Sequence, residues 1–146
     1  MPASSIERRL RLFLFALAGA LCAGTIVELW LQDHTQKPLQ FLPFVLCGLG
    51  LLAVSAALVR PNRVTLWTLR GVMLVTGAGS LIGVYEHILS NLEVVRETQP
   101  ALTGAGALWQ ALHGAAPLLA PGVLAIAASV ALMATYAHPV LTKRAD

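Results

Sequence analysis

The sequence predicts an all-α integral membrane protein, a bundle of four transmembrane helices with a short interfacial helix between the third and the fourth. Three observations predict it. Charged residues make up 12% of the 146-residue chain against 57% hydrophobic, about half the ~25% charge with which a soluble domain covers itself. The apolar residues come in long runs rather than in alternation. The basic residues sit at the ends of those runs. A net charge of +3 would otherwise raise nucleic acid as a partner. This placement excludes that reading and names the lipid bilayer instead.

The first run, residues 12–31, carries one formal charge, Glu28, near its far end. The second, residues 39–59, carries none. The third, residues 66–92, is interrupted by Arg70, Glu86 and His87, and the fourth, residues 115–137, is again uncharged. A helix rises about 1.5 Å per residue, so ~20 residues cross a ~30 Å hydrocarbon core. Lipid cannot satisfy open backbone groups, so the runs must be helical. Arg8, Arg9 and Arg11 followed by an apolar stretch also resemble a signal peptide, with Ala18-Gly19-Ala20 as a cleavage site. The run continues past that site to Leu31, which favours an uncleaved span.

Between the third and fourth runs, Thr98 to Thr142 contains no Asp, Glu, Lys or Arg. Within it Leu108, Trp109 and Leu112 recur at helical spacing, and Gly114 supplies a stop. Residues 103–113 therefore read as a helix in the interface, where Trp109 suits the membrane–water boundary. Pro117 and Pro121 mark the start of the last span.

Orientation follows from the Lys and Arg residues. Arg8, Arg9, Arg11, Arg60, Arg63, Arg70, Lys143 and Arg144 fall on one side, Lys37 and Arg96 on the other. Both termini are expected in the cytoplasm, and Arg60-Pro-Asn-Arg63 is a tight turn. Small residues in helical register supply close-packing faces: Gly79 and Gly83 with Thr76 and Ser80; Ala16, Ala20 and Gly24; Ala127, Ala131 and Ala134. Gly79 and Gly83 are expected to pack within the chain, with a second copy as the alternative. Cys22 and Cys47 have no metal or redox spacing and read as small packing residues.

This topology gathers the acidic residues and histidines at the outer end. Glu28, Asp33 and His34 lie around the first connection, Glu86, His87, Glu93 and Glu97 along the third helix, and His113 before the fourth. Only fifteen residues separate Arg70 from Glu86, about 22 Å of helix. Glu86 or His87 then sits at the outer edge of the apolar layer, where an ionisable group is a functional candidate by default. The candidate site is a metal or proton site of Glu28, Glu86 and His87, with His34, Glu93 and His113 as further ligands. Carboxylate with imidazole suits zinc, iron or manganese. The competing reading is a boundary layer of polar side chains that hydrogen-bond the loops. No nucleophile–base pair or phosphate loop supports a catalytic centre.

Three stretches, Tyr85 to Glu93, Ala107 to Gly122 and Tyr136 to Leu141, together resemble a group of small, uncharacterised four-helix membrane proteins of bacteria. The resemblance covers the C-terminal half. It implies the bacterial inner membrane and transfers no activity and no functional residue.

Two functional classes follow. The first is a non-enzymatic accessory or assembly component of a membrane complex, whose partner is another membrane protein or a second copy. Short loops and the absence of a charged pore stripe motivate it. The alternative is a transporter or ion-handling protein that uses the outer acidic–histidine cluster. A membrane enzyme ranks below both.

Overall fold

A computed structural model describes residues 5–116 and 118–142. Pro117, Lys143 and Arg144, to which the sequence assigns a helix start and part of the charge asymmetry, lie outside the described residues. Among those described there is no strand. Helix α1 spans Ser5–Leu31. A 3-10 turn at Pro38–Phe41 leads into α2, Leu42–Val59. Then come α3, Arg63–Thr98, and α4, Gly104–Leu112. Helices α5, Leu119–Ala134, and α6, Pro139–Thr142, follow. Three helical segments, Ser5–Leu31, Pro38–Val59 and Arg63–Thr98, are long and apolar enough to cross a membrane.

The helix ends differ from the sequence reading where polar groups intervene. Helix α1 is already formed at Ser5 rather than only from near residue 12, because the arginines continue its turns. Helix α3 starts at Arg63 because Asn62 caps it. The Thr65 N–H donates to Asn62 Oδ1 at 3.0 Å, and the Asn62 N–H donates to Thr65 Oγ1 at 3.0 Å, a reciprocal capping box. It continues to Thr98 through its polar turns. Helix α5 has 16 residues, about 24 Å, where the sequence predicts a span over residues 115–137. Its start is delayed because the backbone of Ala116 is held away by Asn91. Its end is fixed by turns in which Thr135 and Tyr136 donate to Leu132 and Met133, and by Ala137 in the left-handed region at φ 44°.

Four helices form a ring. Helix α1 packs against α2 and α5, and α3 packs against the same two, so α1 and α3 occupy opposite corners and α2 and α5 barely meet. Helix α4 lies against α3 alone. At one end the ring is filled by Phe15 and Ala18 of α1, Ala53, Val54 and Ala57 of α2, Leu66, Leu69 and Met73 of α3, and Ala128, Ala131 and Ala134 of α5. Alanines on α2 and α5 let the backbones approach, and the larger residues of α3 fill the space between them. Removing a fully buried leucine here, such as Leu69, costs about 2–5 kcal/mol.

Above this layer a second cluster joins Cys22, Cys47, Leu124 and Ala127. The two thiols are fully buried and hydrogen-bonded to each other across the α1–α2 contact. A Cβ on Gly50 would lie 3.2 Å from Cys22 Sγ and 3.3 Å from Met73 Cε, so the glycine permits that contact. Gly79 packs against Leu46 and Gly83 against Pro121. Both glycines thus serve contacts within the chain, one on each neighbouring helix.

Two arginines close the end that the first layer fills. Arg70 Nε–H donates to Thr135 Oγ1 at 2.9 Å and its Nη2–H to the Thr135 carbonyl at 3.0 Å, while its guanidinium lies 4.9 Å over the Trp67 ring. Arg11 Nη2–H donates to the Ala137 carbonyl at 3.1 Å. The last carbonyls of a helix lack partners and carry partial negative charge, so cations there are favourable. The C-terminus of α5 is therefore capped by side chains from α1 and α3.

Candidate functional site

The inward face of α3 explains where the bundle opens. Leu66, Leu69, Met73, Thr76, Ser80, Asn91 and Val95 are buried, at the three–four spacing of one helical stripe. Between Ser80 and Asn91 the stripe would continue through Gly83, Val84 and His87, which are only half-buried. Gly83 has no side chain to fill the ring, and His87 is polar. A cleft of about 430 Å³ opens there, floored by Thr25, Leu29, Leu46, Ser80 and Leu124 and rimmed by Gln32, His34, Lys37, Gln40, Glu86, His87 and Ser90. The volume falls within the range of small-ligand sites. Below it the ring is closed by the cysteine cluster and then by Phe15, Leu66, Leu69 and Met73. The cleft is blind.

Local backbone chemistry places His34 on the rim. The His34 N–H donates to the Leu29 carbonyl at 3.0 Å and the Asp33 N–H to the Trp30 carbonyl at 3.2 Å. This is a Schellman ending, with Asp33 at φ 49° in the position that favours glycine. Aspartate is among the few residues that visit this region. The chain then turns back over α1, and His34 becomes half-buried. Burial, and then the neighbouring His87, hold the His34 imidazole below its ordinary range. Gln40 Oε1 accepts from the N–H groups of Gln36 and Lys37 at 2.8 and 2.9 Å, which fixes the loop beside the cleft.

The cleft's roof and back wall rest on α3. The Ser80 hydroxyl donates to the carbonyl of Pro121, which bonds α3 to the first turn of α5. Asn91 is 3% exposed. Its Nδ2 donates to the carbonyls of Ala111 and Ala116 at 2.9 and 3.0 Å, and its Oδ1 accepts from the Ala116 N–H at 2.9 Å. One side chain thus holds the end of α4 and the approach to α5 against α3.

Of the residues proposed from sequence, His34, Glu86 and His87 share the cleft lining. The others lie elsewhere. Glu28 is exposed and accepts from Gln32 Nε2 at 3.2 Å. It lies one position before Leu29, the residue that faces the ring, so its carboxylate leaves the cleft. Glu93 is exposed and outside the lining. His113 Nδ1 donates to the Trp109 carbonyl at 2.9 Å and its ring stands 4.6 Å from the Trp109 ring, so it closes α4 instead of joining the cleft. Among the described residues no group of three or more His, Cys, Asp or Glu has an arrangement that could hold a metal ion.

Sequence reasoning overlooked Ser80 and Asn91 as organisers of this site. The signal was present: Thr76, Ser80, His87 and Asn91 recur at i, i+4, i+11 and i+15, a polar line on one helix face. Gly114 is the partner of that line, since a Cβ there would lie 2.3 Å from Asn91 Cγ. Chemically, the cleft offers a floor of leucines and two hydroxyls beneath one carboxylate, two imidazoles, one ammonium and two amides. Such a rim has the chemistry to orient an amphipathic molecule or to exchange protons with water.

The chain matches no protein-family model, no curated protein and no solved structure.

Proposed function

We propose that this chain is a multi-pass protein of the bacterial inner membrane with both ends in the cytoplasm, and that it acts as a non-enzymatic accessory or assembly component of a membrane complex. The membrane reading is supported by the surface of the ring. Trp30, Leu52, Val59, Leu81 and Met133 are all exposed, so each of the four helices of the ring turns large apolar side chains outward, as a lipid-facing surface does. On this reading α5 is the fourth span, and the turns on either side of it complete its short crossing.

The observation that carries the accessory role is the disposition of α4. Its small residues Ala107 and Ala111 are buried against α3, while Leu108, Trp109 and Leu112 are exposed. An uncharged helix that turns its large apolar side chains outward, at the level where α3 leaves the apolar layer, is fitted to bind another membrane protein at the boundary. Photocrosslinking from position 109 in native membranes tests this. A single stoichiometric partner is expected, and Leu108→Ser with Leu112→Ser should abolish that adduct while the protein stays in the membrane fraction. Recovery of a lone chain that is fully functional by itself would sink the reading. The orientation is tested separately by reporters fused at the two ends, which should both appear in the cytoplasm.

A second reading, ion handling, is favoured by the shared placement of His34, Glu86 and His87 on one cleft. It requires that Glu86→Gln and His87→Ala each weaken zinc or proton binding by the purified protein. Unchanged binding in both removes it.

A further inference from the structure

A second cleft, of about 300 Å³, lies at the opposite end of the ring from the first. It is formed where the start of α1, the end of α2 and the turn after α5 meet. Among the described residues its charged and titratable lining is Arg8, Arg11 and His138, with no acidic side chain. Its walls are apolar: Phe15 and Ala57 are buried at the back, and Leu12 and Leu58 are exposed at the outer margin.

Each polar group is set in place by the fold. Arg11 is half-buried and anchored through Nη2 on the Ala137 carbonyl, which leaves the rest of its fork of donors available. His138 Nδ1 accepts from the Val140 N–H at 3.2 Å, so in the neutral ring Nε2 is the donor. Burial, then Arg11 and then Arg70 hold the His138 imidazole below its ordinary range, which reports the positive potential that these guanidiniums create. Arg8 is exposed and free to swing over the opening.

We infer that this cleft binds the phosphate ester of an anionic phospholipid, with Arg8 and Arg11 on the phosphate oxygens and the lipid's first methylenes along Leu12 and Leu58. Guanidinium forks match phosphate geometry in two parallel hydrogen bonds. Basic pockets between spans on the cytoplasmic side are suited to such headgroups. A free phosphate would satisfy the arginines but leave the apolar margin uncovered. The inference rests on the membrane reading and can fail while that reading stands.

The test uses the full-length protein, purified in detergent and stripped of lipid. Thermal unfolding is followed with added phosphatidylglycerol, phosphatidylcholine or inorganic phosphate, and retained lipid is counted by native mass spectrometry. Phosphatidylglycerol should raise the melting temperature by several degrees beyond phosphatidylcholine, and inorganic phosphate should not. Arg8→Gln should remove at least half of that gain without changing the lipid-free melting temperature, and Arg11→Gln should remove it too. Equal stabilisation by the two lipids, an equal effect of inorganic phosphate, or an undiminished gain in Arg8→Gln overturns the proposal. Arg8 makes none of the fold's anchoring bonds, so its variant decides the matter even if Arg11→Gln fails to fold. Sedimentation of Arg8→Gln with membranes separates this result from loss of insertion.

Discussion

Asn91 and Gly114 fit each other to the exclusion of any larger residue. A Cβ on Gly114 would lie 2.3 Å from Asn91 Cγ, 2.5 Å from Oδ1, which accepts from the Ala116 N–H, and 2.7 Å from Nδ2, which donates to the Ala111 and Ala116 carbonyls. Gly114→Ala must therefore break this fastening. Each buried polar group left without a partner costs about 1–3 kcal/mol. Gly114→Ala and Asn91→Leu are both expected to lower the melting temperature in detergent, and both should expose residues 100–116 to limited proteolysis. A proteolytic pattern identical to the parent's would refute the fastening role.

Arg70 is expected to be more than a boundary charge. It makes two hydrogen bonds to Thr135 and stacks on Trp67. A hydrogen bond to a charged group contributes about 1.5–3 kcal/mol. Arg70→Gln should destabilise the bundle by that order. Arg70→Lys should recover only part of it, since a lysine lacks the planar fork. Full rescue by lysine would mean that charge alone matters there.

Two loop histidines, His34 and His138, are held below the ordinary imidazole range, mainly by burial. Above about pH 6.5 neither the folded nor the unfolded chain protonates them, and their contribution to stability is intact. As pH falls, the unfolded chain takes up protons that the folded chain refuses, so stability is lost on the way down through the depressed values. The melting temperature should be lower at about pH 5.5 than at about pH 7.5. The difference should shrink in the His34→Gln, His138→Gln double variant. A pH slope unchanged by the double variant would contradict this assignment.

Asp33 occupies a left-handed position at φ 49°. The region costs an ordinary residue roughly 1–2 kcal/mol and glycine little. Asp33→Gly should keep or raise the melting temperature, whereas Asp33→Val should lower it and loosen the loop that carries His34. Hydrogen exchange at the His34 amide, which bonds to Leu29, is the direct readout; faster exchange in the glycine variant than in the valine variant would reverse the reasoning.

Composition and run length made the helical elements legible. The runs at residues 39–59 and 66–92 lie inside α2's segment and α3, because a long, mainly apolar run leaves the backbone few partners beyond its own groups. The short helix around Trp109 was legible from Leu108, Trp109, Leu112 and the Gly114 stop. The ends of α5 were not. They depend on Asn91 reaching Ala116 and on Arg70 reaching Thr135, contacts separated by tens of residues that no local pattern encodes. The candidate site was partly legible for the same reason. Depth along a helix follows from counting residues, so Glu86 and His87 could be placed. Which way Glu28 faces depends on the packing of α1, and the arrangement of Asp33 brings His34 in while His113 is taken up by Trp109.

The ring closes by contact between α1 and α5, and α1 is synthesised well before α5. Leu31 and Leu119 are separated by 88 positions, about 4–18 s of synthesis at 5–20 residues per second. During that interval the α1 face that will meet α5 has no mate, and Arg11 and Arg70 have no α5 terminus to cap. A chain stalled before Leu119 therefore holds α1 to α4 with a seam left open along α1 and α3, the two helices that α5 joins.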